Sequence, residues 1–176
     1  MYQLASAVTL AIFPVLVIAG ALKDVTSFTI PNWLNIALAL AFAPAALVAH
    51  FTLGQVGLHL GVGLAFLFAG MVMFALGWIG GGDAKLFAAA ALWLGWPAAV
   101  AFLLYTTLAG GGLAVVLLGA RKSQLGVLAL QGPGWLNRLL EKDGPAPYGV
   151  AIAVGALAAF PHSPFLDALK TLPFGI

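Results

Sequence analysis

Hydrophobic residues form long runs in this chain, and charged residues separate the runs at only a few points. The uncharged runs are Tyr2–Leu22, Val25–Gly82, Leu86–Ala120 and Gly144–Leu166. A helix needs roughly 20 apolar residues to cross the hydrocarbon core of a bilayer, so the first and last runs each have room for one such helix. The second run has room for two, and the third is long for one and short for two. This pattern predicts an all-α, polytopic membrane protein.

Turn-forming residues divide the two longer runs. Thr52-Leu53-Gly54-Gln55 is the predicted turn within the second run. Gly95-Trp96-Pro97 predicts a break in the third, because proline interrupts helical hydrogen bonding. In the polar stretch Arg121–Pro147, apolar residues recur at helical spacing over residues 135–142. That spacing predicts a short helix in the membrane interface, with a flexible charged loop as the alternative.

The positions of Lys and Arg decide how many helices the third run holds. Cytoplasmic loops of membrane proteins carry an excess of these residues. With one, two, two and one helices in the four runs, only Lys170 lies outside, and the cytoplasmic side carries Lys23, Lys85, Arg121, Lys122, Arg138 and Lys142. We therefore predict six transmembrane helices, both termini on the outer side, and a cytoplasmic loop at about 121–147.

Composition supports a membrane protein and excludes several other classes. The chain has 176 residues, of which 63% are hydrophobic and 7% charged, and a mean hydropathy of +1.11. Soluble domains have roughly 25% charged residues. We predict one integral-membrane domain over residues 1–176, with the bilayer as a partner and the first run kept as a helix rather than removed as a signal peptide. The absence of cysteine excludes thiol catalysis, and a net charge of +2 is too small for a nucleic-acid surface.

Two aspartates are the candidate chemical groups. Asp24 and Asp83 both lie at ends of uncharged runs, at the predicted cytoplasmic face. A carboxylate beside hydrocarbon is costly unless it is solvated or paired, which makes each a candidate functional residue. A solvated helix end is the simpler explanation for either one alone. The backbone around each favours a functional pair: Asp24 precedes a Ser- and Thr-rich turn, and Asp83 follows the glycines Gly80–Gly82, which can adopt unusual dihedral angles and let a peptide approach.

Two carboxylates within hydrogen-bonding distance tend to hold one proton between them. The ionised member can then take a proton from water while the protonated member donates to a scissile carbonyl. The sequence does not assign these two roles between Asp24 and Asp83. We expect no metal and no cofactor, because His50, His59 and His162 fall on or near the predicted outer side, away from both carboxylates.

Three separated motifs carry a resemblance to a known family. They are Asp24 followed by Ile30-Pro31-Asn32, then Gly80-Gly81-Gly82-Asp83-Ala84-Lys85, and Pro147-Tyr148-Gly149 near the end. Together they resemble the type IV prepilin peptidases, which are GxGD membrane aspartic proteases, and most of all the short forms that serve tight-adherence (Flp) pili.

The resemblance implies a protease in the bacterial inner membrane that removes the leader of a prepilin or pseudopilin at the cytoplasmic face. Asp24 and Asp83 would be the catalytic pair, and Pro147, Tyr148 and Gly149 would lie near them. Longer family members have a cysteine-bearing region and also methylate the new N-terminus. This chain has no cysteine, so we do not expect it to methylate its product.

Other residues near the motifs have two possible roles each. The Lys85 amine is a candidate to depress the pKa of the pair or dock an acidic substrate residue, and equally to anchor the helix at the interface. Pro31 suits the first turn of the second helix. Asn32 and Asn35 are candidates to orient the Asp24 turn, and ordinary hydrogen bonding between helices is the alternative.

Glycines elsewhere predict close helix packing. Gly57 and Gly61 have the spacing of small residues at a helix interface, and Gly110–Gly112 is a second glycine triplet with no carboxylate beside it.

Two other functions stay open from the sequence. One is a small proton-coupled transporter in which Asp24 and Asp83 bind the proton. Transporters place such groups near the bilayer midplane, whereas both aspartates fall at one predicted face. The other is a non-catalytic assembly factor of a secretion system. The sequence names neither the substrate nor the oligomeric state.

Overall fold

The computed structural model describes residues 2–122 and 132–170, and within these ranges the protein is helical and has no strand. The helices are α1 (Tyr2–Ser27), α2 (Asn32–Val48), α3 (Leu53–Ala75), α4 (Gly81–Leu94), α5 (Ala98–Lys122), α6 (Gly134–Leu140), α7 (Tyr148–Ala159) and α8 (Pro164–Lys170), with a 3-10 turn at Phe160–His162 between the last two. The predicted all-α class is confirmed for the described residues.

The two breaks predicted within the longer runs have counterparts in the structure. Thr52 caps α3: its hydroxyl accepts a hydrogen bond from the Gln55 backbone, and the Gln55 side chain accepts one from the Thr52 backbone. Gly95 lies between α4 and α5 with a φ of 59°, which favours glycine. The break in the third run is therefore confirmed. The break in the second run lies at residues 49–52, slightly before the predicted turn, because Leu53–Gln55 form the first turn of α3.

The short helix α4 is the centre of the bundle. Residues Leu86–Leu94 of this helix are all buried. A helix that is apolar on every side is stable when other elements cover it all round. Here α1, α2, α3, α5 and α7 all pack on α4, whereas α3 makes most of its contacts with α4 alone.

Aromatic residues fill the core at the α4 C-terminus. The Trp93 ring packs against Phe13 and Phe165, and its indole N–H donates to the Leu38 carbonyl at 2.7 Å. His59 is 2% exposed, and its Nδ1 lies 2.7 Å from the Leu92 carbonyl oxygen. This cluster fixes α4 against α1, α2 and α3 at the end of the bundle opposite Asp83.

The outer faces of the helices are apolar. Among the described residues, three stretches of helix are long and apolar enough to cross a membrane, Leu53–Ala75, Ala98–Lys122 and Tyr148–Ala168, and Asn32–Val48 is a shorter apolar helix. Large side chains such as Leu47, Leu64 and Phe68 point outward. These surfaces are those of a membrane-embedded protein, while six spans and outer termini stay predictions.

A short helix, α6, is present where one was predicted, slightly shorter than expected, and its place in the membrane interface stays a prediction. Arg121, near the end of α5, donates through Nε to the Leu139 carbonyl at 3.0 Å and through Nη2 to the Pro145 carbonyl at 2.9 Å. The guanidinium of Arg138 lies 5.4 Å from the centre of the Phe28 ring, a cation–π distance. Two arginines thus attach α6 to the ends of α5 and α1.

Candidate active site

Asp24 and Asp83 come together at one end of the bundle. Asp24 lies in the last two turns of α1, and Asp83 lies in the first turn of α4. Their side chains are 5% and 7% exposed, respectively. The Asp24 charge and the Gly149 N–H both act on Asp83, so two carboxylates from distant parts of the chain share a buried region at the α4 N-terminus.

The N-terminus of α7 completes this region. The Gly149 backbone N–H donates to Asp24 Oδ2 at 2.7 Å. A Cβ at Gly149 would lie 2.9 Å from both Cβ and Oδ2 of Asp24, and 3.0 Å from Ile30 Cδ1. Because real Cβ contacts are longer than this, only glycine allows the carboxylate to approach the N–H so closely. Pro147, at the N-cap, starts the helix at this point without a side-chain cap.

Asp83 is held by its own helix. The Gly80 backbone N–H donates to Asp83 Oδ2 at 3.2 Å, which satisfies one free N–H group at the start of α4. The other oxygen, Oδ1, is buried and has no hydrogen-bond partner among the described residues. A buried carboxylate oxygen without a partner favours the protonated form of the group.

Gly82 brings the α1–α2 turn against α4. A Cβ at Gly82 would lie 3.1 Å from the Ile30 Cβ and carbonyl oxygen, and 3.2 Å from its nitrogen. The turn that follows Asp24 can therefore pack directly on the α4 backbone. Phe28, within that turn, has a φ of 53°, and Thr26 and Ser27 hydroxyls bond back to carbonyls in α1.

The expectation of unusual dihedrals at Gly80–Gly82 is wrong. Gly80 has φ −71° and ψ 151°, which any residue can adopt, and Gly81 and Gly82 are the first residues of α4. The described glycines with positive φ are Gly77 and Gly95. These glycines matter because, without side chains, they permit close packing. Backbone strain is not involved.

Both aspartates lie outside the uncharged runs predicted to span the membrane. Burial is the largest influence on the pKa of each. Burial raises the pKa of Asp24, and the Gly149 N–H opposes this rise. Burial is the largest cause that raises the pKa of Asp83, and the nearby Asp24 charge is the second. The pKa reaches about 7 although the N–H groups of Gly80 and Gly149 lower it. The pair is therefore expected to keep one proton near neutral pH.

The predicted supporting residues divide into two groups. Pro31, Pro147, Tyr148 and Gly149 start α2 and α7 at the end of the bundle where the aspartates lie. Lys85, in contrast, donates from Nζ to Asn32 Oδ1 at 2.7 Å and is solvent-exposed. The Lys85 amine is thus bonded to α2, and its effect on the pKa of the pair stays a prediction.

Asn35 joins α2 to the start of α4. Its Nδ2 donates to the Gly82 carbonyl at 3.3 Å, and it is 5% exposed. Asn32 and Asn35 thus join α2 to α4, and the alternative of ordinary hydrogen bonding between helices is confirmed. Helical spacing, three residues apart on one face of α2, is the signal that links them.

The histidines lie away from the aspartates. His59 is enclosed by Phe42, Phe51 and Phe165 in the core at the other end of α4. Over residues 2–122 and 132–170, no group of three or more His, Asp or Glu side chains is arranged to hold a metal ion.

Comparison with protein families identifies the chain. The family model described as "type IV leader peptidase family" matches residues 11–115. The chain belongs to the type IV leader peptidase family. Comparison with curated proteins and with solved structures gave no significant match.

The type IV leader peptidase match contains both aspartates and the glycines before Asp83, and it ends before Pro147. Membership makes the protein a protease, that is, a hydrolase that acts on a protein substrate. Gly149 lies outside the matched residues, and its contact with Asp24 comes from the structure alone.

Proposed function

We propose that the protein is a membrane aspartic endopeptidase that removes the leader of a type IV prepilin or pseudopilin at the cytoplasmic face of the bacterial inner membrane. The observation that carries this proposal is the convergence of two buried carboxylates, Asp24 and Asp83, around one backbone N–H group, that of Gly149. Such a pair holds one proton and can act as acid and base together.

In the proposed reaction, the ionised carboxylate removes a proton from water as the water attacks the scissile carbonyl carbon. The protonated carboxylate donates its hydrogen bond to the carbonyl oxygen and stabilises the negative charge that develops there. The proton then passes to the leaving amine, and the pair regains its single proton. Asp83 is the candidate for the protonated member, because its pKa is raised to about 7 and its Oδ1 has no protein partner among the described residues.

The substrate proposed is a peptide with a single hydrophobic helix, cut just after a glycine on the cytoplasmic side of that helix. The lack of cysteine supports a peptidase without methylation of the product, as in the short forms that serve Flp pili. Ile30 of the α1–α2 turn packs against both Gly82 and Gly149. We expect the substrate to displace this turn when it binds.

Asparagine substitutions test the proposal. Asp24→Asn and Asp83→Asn keep the side-chain shape and remove the acid–base function, so each is expected to lower leader removal from a co-expressed prepilin by at least about 100-fold. Leader removal is measured from the mass of the product. Asp143→Asn, at an exposed aspartate, is the matched control and should cleave normally.

Two results would contradict the proposal. Full processing by both variants would exclude an aspartic protease that uses this pair. Normal processing together with a defect in proton flux would favour the transporter. Membrane insertion of each variant, measured in the same cells, separates loss of chemistry from loss of fold.

A further inference from the structure

A groove runs along the outside of the bundle between α2 and α3. These two helices both pack on α4 and make few contacts with each other. The groove has a volume of about 520 Å³ and is lined mainly by apolar side chains. Ala88, Ala89 and Leu92 of α4 form its floor, and Ile36, Leu60 and Leu64 are among the residues of its walls.

The groove lies on the opposite face of α4 from the aspartates. Lys85, Ala88, Ala89 and Leu92 recur at helical spacing on one face. Asp83 precedes Lys85 by two residues, about 200° around the helix axis. Asp83 accordingly neighbours Gly149 of α7, whereas Lys85 contacts α2. The groove is therefore separate from the candidate active site.

One end of the groove is polar and positively charged. Lys85 is the exposed residue within the otherwise buried stretch 83–94 of α4, and its Nζ donates one hydrogen bond, to Asn32. An ammonium group has three donors, so two remain for another acceptor. No carboxylate lines the groove. An anionic group is the ligand that this charge favours.

Two exposed tryptophans lie near the polar end of the groove. Trp33 follows Asn32 at the start of α2, and Trp78 follows the end of α3, so they lie at the two sides of the polar end. They are 61% and 65% exposed. Exposed tryptophans concentrate at the level of lipid headgroups. We therefore expect Lys85 to lie at the level of the lipid phosphates.

The groove has a volume of about 520 Å³. Pockets for small ligands are typically about 300–1,000 Å³ and mostly apolar with a few polar groups. A single acyl chain suits the dimensions.

We propose that the α2–α3 groove binds a phospholipid with an anionic headgroup. One acyl chain lies over Ala88, Ala89 and Leu92, and the phosphate accepts hydrogen bonds from Lys85 Nζ. The lipid fills the space between α2 and α3 and so couples the position of α3 to the rest of the bundle.

Native mass spectrometry of the delipidated full chain tests this with phosphatidylglycerol and phosphatidylcholine as probes. Wild type is expected to retain one phosphatidylglycerol in preference to phosphatidylcholine. Lys85→Gln should lower phosphatidylglycerol retention by about fivefold, the effect of one basic residue near an anionic surface. Lys85→Arg should preserve it. Lys122→Gln, at an exposed lysine outside the groove, is the matched control.

A groove-filling change tests the acyl chain separately. Ala39→Phe adds a ring from α2 into the groove and should lower retention of both lipids, with helical content unchanged. Equal retention by wild type and Lys85→Gln would overturn the proposal, as would an equal effect of Lys122→Gln. A doubled protein mass, or displacement of the lipid by a prepilin peptide, would assign the groove to those partners instead. Asp83→Asn should bind lipid normally. A failure of the lipid-binding proposal can therefore be distinguished from a failure of the proposed protease function.

Discussion

Asp83 combines burial, a hydrogen bond from the Gly80 N–H, a nearby Gly149 N–H and one oxygen without a described partner. These surroundings favour the neutral acid, which is the form that a proton donor needs at neutral pH. The same surroundings make the residue costly for the fold whenever it ionises. Stability and activity are therefore expected to oppose each other at this position.

Asp83→Asn should stabilise the protein, and increasingly so at higher pH. The folded pKa of about 7 lies above the ordinary value of 3.8, so between these values the folded state binds more protons than the unfolded state. Stability of the wild type therefore falls as pH rises from about 4 to about 7 and then levels off. The variant lacks this loss, which is on the order of a few kcal/mol.

Thermal melting in detergent at pH 5 and pH 8 measures this effect. The Tm of Asp83→Asn relative to wild type should be higher at pH 8 than at pH 5. Asp143→Asn, at an exposed position, supplies the control for detergent and buffer effects. A Tm difference that is the same at both pH values would show that Asp83 is not a neutral acid in the folded protein.

Gly149→Ala should lower activity without unfolding the protein. Alanine is the better helix former by up to about 1 kcal/mol, so helix propensity alone would stabilise α7. The added Cβ instead meets Asp24 at 2.9 Å and must move the carboxylate away from the N–H group. We expect at least a tenfold loss of leader cleavage, since a misplacement of about 1 Å in a catalytic group can cost about 100-fold.

Gly112→Ala is the matched control for this substitution, because a Cβ there meets no atom within 4 Å. Leader cleavage by both variants is compared at equal amounts of membrane-inserted protein. Normal cleavage by Gly149→Ala would mean that the contact between Gly149 and Asp24 is not part of the active arrangement.

At the scale of helices, the sequence predicted the breaks to within about one turn and the packing less well. Charges lie close to helix ends, and Pro97 and the Thr52 cap lie directly before α5 and α3, because these signals are local. The partner of a helix depends on which small residues face another backbone, and spacing alone does not reveal this. Gly57 and Gly61, predicted to pack closely, would meet no atom with an added Cβ, and of Gly110–Gly112 only Gly110 would, at an ordinary 3.7 Å.

Gly63 and Gly70 are the glycines that seat α3 on α4. A Cβ at Gly63 would lie 3.0 Å from Leu92 Cβ, and one at Gly70 would lie 3.1–3.2 Å from three atoms of Ala84, two of them backbone. Backbone cannot move aside as a side chain can. Glycines of α3 thus pack closely on another helix, as predicted, but they are Gly63 and Gly70 and not Gly57 and Gly61.

Gly70→Val should destabilise the protein by about 1–3 kcal/mol, the usual cost of adding atoms to a well-packed contact. Gly57→Val, in the same helix and free of contacts, should change stability little apart from helix propensity. Thermal melting of the two variants gives the comparison. Equal losses would mean that α3 does not rest on α4 through Gly70.

At the scale of the whole molecule, the two aspartates meet because distant segments of the chain converge at one end of the bundle. The α1–α2 turn, the α4 N-terminus and the α7 N-terminus lie at one end of the bundle, and the Thr52 and Gly95 turns lie at the other. Charge counting predicted this arrangement, since Lys23 and Lys85 fall on one side. The contact of Gly149 with Asp24 was not predictable in detail, because the two residues are 125 positions apart and no local signal joins them.

Reporter fusions test which side of the membrane this end faces. Fusions after Lys23, Lys85 and Lys142 should all report the cytoplasm, and a fusion after His50 should report the outer side. The positive-inside rule fixes the direction, and the shared end of Asp24 and Asp83 requires the first two fusions to agree whatever the direction. Opposite signals at Lys23 and Lys85 would place the two carboxylates on different sides of the membrane and exclude the pair as a catalytic unit. Agreement of these two fusions with an outward signal would keep the pair and move the proposed cleavage to the other face.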